Sequence, residues 1–175
     1  CVSARGALQE SVADSSRSLS ELLEICSETG RPIRIGKTAV SDWAISLWRA
    51  PTDNDLRTAW REAEFPAAAE RWRLLGLDRL VSRLISVEQV SDIQIEVKTR
   101  VGAAATNAAV DCTYTWSLKQ TGLELGLDAV INEHWPETWP SHWARAGVEF
   151  TISTPTDSSV HWFGNGPSPA YPDTG

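Results

Sequence analysis

The sequence predicts an all-β fold: a large antiparallel β-sandwich, truncated, with one short helix. Three observations carry this prediction. Val110, Cys112, Tyr114, Trp116 and Leu118 alternate with polar residues, and after the turn Gln120-Thr121-Gly122 the residues Leu123, Leu125, Leu127, Ala129 and Ile131 alternate again. That is the period-two pattern of a hairpin with one face in a core. Each of these strands runs to roughly ten residues, against a usual five or six, which suits a large sandwich better than a small immunoglobulin-like one. Only one stretch, Pro66 to Gly76, carries the punctuation of a helix.

The elements follow in order. Residues 1 to 20 are rich in Ser, Ala and charge, with little periodicity, and read as a linker or tail. Residues 21–175 are read as one partial sandwich domain. Leu22, Leu23 and Ile25 give a short β signal that ends at the turn Ser27-Glu28-Thr29-Gly30. Ile33 and Ile35 alternate with polar residues up to Gly36. A strand through Trp43, Ile45, Leu47 and Trp48 follows. Pro66 suits a first helical turn, Ala67 to Leu75 are good helix formers and Gly76 suits the C-terminal cap. Ala68, Trp72 and Leu75 fall on one face, expected to cover a sheet edge or end.

From Arg79 the chain is β. A long mixed run reaches Val90, then Ile93, Ile95 and Val97 alternate with Gln94, Glu96 and Lys98. The hairpin described above follows. The stretch His134 to Trp143 holds two prolines, which exclude a regular central strand, so an ordered loop is expected. Ala146 to Ser153 resumes a strand with Val148, Phe150 and Ile152 on one face, and Val160 to Phe163 is the last.

Composition narrows the function. A net charge of -7 and a pI near 5.0 argue against nucleic acid or an anionic membrane as partner. No apolar run is long enough for a membrane span. The three cysteines, Cys1, Cys26 and Cys112, show no zinc spacing. Cys112 sits in an apolar alternation and reads as a buried free thiol. The odd cysteine count and the lack of a signal pattern favour a reducing cytoplasm. The absence of Met, even at the start, reads as a fragment of something longer. Nine Trp against three Phe and two Tyr fits either a thick sandwich core or platforms for sugar rings.

Glycoside hydrolysis needs two carboxylates flanking the bond. Asp53 with Asp55, and Glu133 with Glu137, are the candidate pairs. Asp53, Asn54 and Asp55 lie in a Pro-Thr-Asp-Asn-Asp turn, where such residues cap the backbone. The same run could hold a hard cation, yet it lacks the loop and distal Glu of an EF-hand. His134, His142 and His161 share no ligand spacing. Gly164-Asn165-Gly166-Pro167 is not a phosphate loop, since no helix pattern and no Lys follow. No residue is assigned as catalytic, cofactor-binding or metal-binding.

Two segments carry a resemblance. Trp48-Arg49-Ala50-Pro51-Thr52-Asp53-Asn54-Asp55 is similar to the run that opens the C-terminal domain of family 2 glycoside hydrolases, the β-galactosidases. Glu70-Arg71-Trp72 and Gly76-Leu77 agree with that family. Val160-His161-Trp162-Phe163-Gly164-Asn165-Gly166-Pro167 with Tyr171-Pro172-Asp173 resembles its second signature. The family has Glu where this chain has Pro169, and its domains continue well past Asp173. The chain therefore resembles the N-terminal portion of the C-terminal β-sandwich, a small-chain type domain.

The resemblance implies a galactose mutarotase-like supersandwich in a modular enzyme whose catalytic glutamates lie on a separate (β/α)8 barrel. It implies hydrolysis of terminal β-D-galactosides, lactose-type substrates included, by the parent. The fragment alone would be inactive and non-catalytic, supporting the barrel and subunit packing. The parent family often uses Mg and Na or K ions, with no cofactor implied in this fragment. Implied partners are the rest of the parent chain, galactoside through the parent, and a possible second copy. A stand-alone carbohydrate-binding module using Trp135, Trp139 and Trp143 is the alternative. A mutarotase is third, since no acid and base signature faces a concave sheet.

Overall fold

The computed structural model describes residues 2–8 (backbone only), 18–58, 64–104, 106–136 and 143–153. Among the described residues, nine strands build two antiparallel sheets packed face to face. They are β1 Val2–Leu8, β2 Leu23–Ile25, β3 Pro32–Ile35, β4 Thr38–Ser46, β5 Val81–Ser91, β6 Gln94–Gly102, β7 Ala109–Lys119, β8 Gly122–Ile131 and β9 Gly147–Ile152. The larger sheet runs β1-β8-β7-β6-β5 and the smaller β2-β3-β4-β9. The described residues also form helices α1 Leu19–Leu22 and α2 Ala68–Leu74, with a 3-10 turn at Leu77–Arg79. The all-β sandwich is as the alternation predicts. Among the described residues, no helix is long and apolar enough to cross a membrane. The strand expected at Val160–Phe163, and the second signature with it, lie outside the described residues.

Register explains the core. Val97 pairs with Tyr114 and Tyr114 with Leu127, while Thr99 pairs with Cys112 and Cys112 with Ala129. Residues directly opposite share a face, so each rung sends its side chains the same way. All six are buried. On the reverse face, Arg100 reaches across to Asp111 with two bonds of 2.7 and 2.8 Å. From the smaller sheet, Trp43 enters the same layer. Its ring centroid lies 5.4 Å from Trp116 and 6.1 Å from Tyr114. Fully burying one such side chain contributes on the order of 2–3 kcal/mol.

Several expectations are corrected. Residues 2–8, read as part of a linker or tail, form a strand that pairs with β8 from Val2–Ala129 to Leu8–Leu123. Main-chain hydrogen bonds to an edge need little hydrophobic periodicity, so the sequence signal is weak. Leu22, read as β, ends a helical turn. Ser18-Leu19-Ser20-Glu21 is a capping-box spacing, and Ser18 N–H donates to Glu21 Oε2 at 3.1 Å. Ile93, read as strand, sits in the two-residue turn between Ser91 and Gln94.

The strand at 38–46 hides a bulge. Val40 and Trp43 are both buried although three residues apart. Plain alternation would put them on opposite faces. The register shifts between Ser41 and Ala44, and Asp42 sits at φ +54. A left-handed Asp at a bulge resets the parity, so Trp43 and Ile45 join Val40 in the core.

Helix α2 forms where predicted but is shorter: Ala67 is its N-cap, so Pro66 precedes the first turn it was expected to occupy, and Gly76 lies one residue beyond the C-cap. Leu75 caps it, and Gly76 takes the left-handed φ of +69. Its buried face differs by a residue. Ala69, Arg71, Trp72 and Leu75 are buried, and Ala68 is only partly so. The helix covers a sheet end, as expected. It packs on Ala108 at the β6–β7 connection, and a side chain at Gly76 would run into Ala103 Cβ. Trp135 and Leu80 contact both this small cluster and the main core.

Candidate functional site

The first motif leaves β4 at the end of the sandwich, and its side chains converge on one carboxylate. Arg49 Nη1 donates to Asp55 Oδ2 at 2.6 Å and Nη2 to Oδ1 at 3.1 Å. Thr52 donates to Oδ2 twice, from its amide at 2.7 Å and its hydroxyl at 2.6 Å. Pro51 and the turn at residues 53–56 fold the chain back so that Asp55 faces Thr52. Asp55 is buried, and burial by itself would raise its carboxyl. The hydrogen bonds from Arg49 and Thr52, with the charge of Arg49, overcome this and hold it at about 2.

The corner also joins three other pieces. Asp55 O accepts the amide of Ala69 at 3.0 Å, satisfying a donor in the first turn of α2 that has no intrahelical partner. Arg49 Nε donates to Ala144 O at 2.8 Å, tying down the segment that leads into β9. The Arg49 guanidinium lies 5.3 Å from the Trp72 ring, and Trp48 meets that ring edge-on at 6.4 Å. Arg49 thus links β4, the Pro51 turn, α2 and the approach to β9.

The candidate pairs are distributed differently from a hydrolytic site. Asp55 is occupied by Arg49 and Thr52, while Asp53 and Asn54 point to solvent. The turn does cap backbone, but backwards: Asp55 accepts the amide three residues before it. Glu133 is exposed and Glu137 lies outside the described residues. A cation has no ready donor set at Asp53–Asp55, because both oxygens of Asp55 already accept from Arg49 or Thr52. Among the described residues no three His, Cys, Asp or Glu side chains come together as a metal site. His134 lines a cleft of about 350 Å³ with Arg71, Leu75, Asn107 and Pro136. His142 and His161 lie outside the described residues.

Of the Trp residues in the alternative reading, Trp135 and Trp143 are partly buried. Their rings meet edge to face at 5.4 Å and pack against the core. Trp135 Nε1 donates to Ala109 O at 2.7 Å. Trp139 lies outside the described residues. Asn132 carries an anchoring role that residue-by-residue reading missed. Its Oδ1 accepts from Ala109 N and His134 N, and its Nδ2 donates to Asn107 O. Arg49 was a second omission. An arginine six residues before an aspartate, across a proline turn, is the signal that would have found it.

Comparison with known proteins gives a consistent result. Residues 22–175 match the family described as "Beta galactosidase small chain". The chain is 30% identical over 162 residues to a beta-galactosidase of Arthrobacter sp. (strain B7), covering 84% of this chain and 15% of that protein. It is 30% identical over 135 residues to a beta-galactosidase of Pseudoalteromonas haloplanktis, covering 73% of this chain and 12% of that protein. The chain thus spans a small fraction of the length of these relatives.

Proposed function

The chain belongs to the β-galactosidase small-chain family, and from that premise we propose that it is a non-catalytic β-sandwich segment of a larger β-galactosidase. The parent hydrolyses terminal β-D-galactosides of the lactose type with retention. This segment supports the catalytic part and contributes to subunit packing. The observation that carries the reading is the state of Asp55. A retaining glycosidase needs two carboxyl groups about 5–5.5 Å apart and free to act. Asp55 instead accepts four hydrogen bonds from Arg49 and Thr52, which makes the motif a rigid corner.

The ions implied by the family, Mg and Na or K, belong on this reading to the remainder of the parent, since Asp55 has no oxygen to spare. A reducing cytoplasm is the compartment proposed, supported by the free thiols of Cys26 and Cys112. The purified chain is expected to leave a chromogenic β-galactoside intact. Turnover that follows the purified chain and disappears in Glu133→Gln or Glu137→Gln would overturn the reading. Titrating the Trp fluorescence with galactose and lactose tests the binding-module rival, for which a saturable shift at millimolar sugar is the required sign.

A further inference from the structure

Five of the twelve exposed large apolar side chains among the described residues lie on β5 and the turn after it. Val81 is 64% exposed, Ile85 60%, Val90 56% and Ile93 54%, with Val87 also outside the core. Among the described residues β5 is the edge of the larger sheet. Exposed edges ordinarily carry charge or proline, which blocks stray pairing. This one carries apolar knobs alongside the exposed charges Arg83 and Glu88.

The ladder says what kind of contact it makes. Leu84 pairs with Thr99 and Ser86 with Lys98, so Ile85 is left over. Gln89 pairs with Ile95 and Ser91 with Gln94, so Val90 is left over. Two bulges in one edge strand interrupt the row of main-chain donors and acceptors, which disfavours addition of a further strand. The partner must therefore be met by side chains.

Charge adds a second requirement. Arg83 pairs directly with Arg100 across the ladder. Arg100 is neutralised by its two bonds to Asp111. Among the described residues, the ion pairs within 4 Å do not include Arg83. Like charges opposite each other are unfavourable, so Arg83 lacks the relief that Arg100 has. A surface with a carboxylate near Arg83 and apolar sockets for Val81, Ile85 and Val90 would complement the edge.

We propose that the β5 edge, with Val81, Arg83, Ile85, Val90 and Ile93, is the surface that docks onto the remainder of the β-galactosidase polypeptide. The proposal rests on the family reading. The matched relatives are far longer than this chain, which covers 15% and 12% of them, so most of such a polypeptide lies outside it. A second copy fits less well, since a two-fold contact through this edge would bring two copies of Arg83 into one interface.

Carbene footprinting tests this without altering the protein. Labelling of residues 81–93 is compared between the 175-residue chain and the longer β-galactosidase polypeptide that contains it. At least a five-fold drop in labelling in the longer polypeptide supports the proposal. Equal labelling in both overturns it, and so does protection in the 175-residue chain that grows with its concentration, the mark of self-association. Ile85→Glu and Val90→Glu in the longer polypeptide supply a second measurement, with Val130→Glu as an exposed control away from the edge. The proposal requires the β5 pair to lower its thermal midpoint while the control does not; equal behaviour of all three overturns it. Turnover of a β-galactoside by the longer polypeptide tests the family reading separately, whichever way the labelling falls.

Discussion

Arg49 and Asp55 meet through two parallel hydrogen bonds, Nη1 to Oδ2 at 2.6 Å and Nη2 to Oδ1 at 3.1 Å, across a proline turn. The geometry is the planar fork that guanidinium and carboxylate share, and it is stronger than a single contact. Because the same carboxylate serves Thr52, and its backbone carbonyl serves Ala69, removing it loosens the β4 end and the start of α2 together.

Asp55→Ala should therefore cost about 3 kcal/mol, since it takes the carboxylate partner from a partly buried arginine and an acceptor from Thr52. Asp55→Glu should also destabilise, because the longer side chain displaces the fork. Asp53→Ala, at an exposed position, should stay within about 0.5 kcal/mol. Urea unfolding midpoints check all three, and equal effects at positions 53 and 55 would contradict the account.

The same carboxylate gives a pH dependence with a definite sign. Its folded value of about 2 lies below the ordinary 3.8. The unfolded chain then takes up the proton first as pH falls. The stabilisation is complete above about pH 4 and is lost as pH drops toward 2, in total about 2 kcal/mol. Stability measured from pH 5 to 2 should fall less steeply in Asp55→Asn than in the unaltered chain.

Cys26 and Cys112 should react very differently. Cys112 is buried on β7, and its surroundings push the thiol up to about 12, burial first and Asp111 second. Cys26 lies in the β2–β3 connection, where a hydrogen bond with Thr29 lowers it. A thiol reagent at pH 8 should modify Cys26 in the folded chain and reach Cys112 only after denaturant is added. Mass mapping of the labelled peptides distinguishes the two.

Two backbone positions should show opposite tolerance. Gly76→Ala places a Cβ at φ +69 and against Ala103, and should cost about 2 kcal/mol. Asp42→Gly should be close to neutral, whereas Asp42→Val should cost about 1–2 kcal/mol, because a branched residue resists the left-handed region. Thermal unfolding of the three variants reads this directly.

Much of the architecture was legible because alternation and register agree. Val110, Cys112, Tyr114 and Trp116 pointed one way in the sequence and do so in the sheet. The helix was legible from Pro66 and Gly76, which act through the backbone alone. The bulge at Asp42 was not legible, because parity is reset by one dihedral angle that no alternation rule contains. Nor was β1, whose place is fixed by a partner more than a hundred residues away. At the candidate site, the sequence places Asp55 in a capping turn, and the structure engages it with Thr52 and Arg49. Its engagement depends on Arg49, and turn rules that look at neighbouring residues do not reach that far.

The pairing of β1 with β8 also sets a timetable. Leu8 is made before its partner Leu123, which follows on the order of ten seconds later at ordinary synthesis rates. Strands β5 to β8 follow one another and can zip as hairpins while translation proceeds. β1 must wait, unpaired, until β8 appears, so closing that edge comes late in assembly. The nascent chain is most open to capture by chaperones, or by another nascent chain, during that interval.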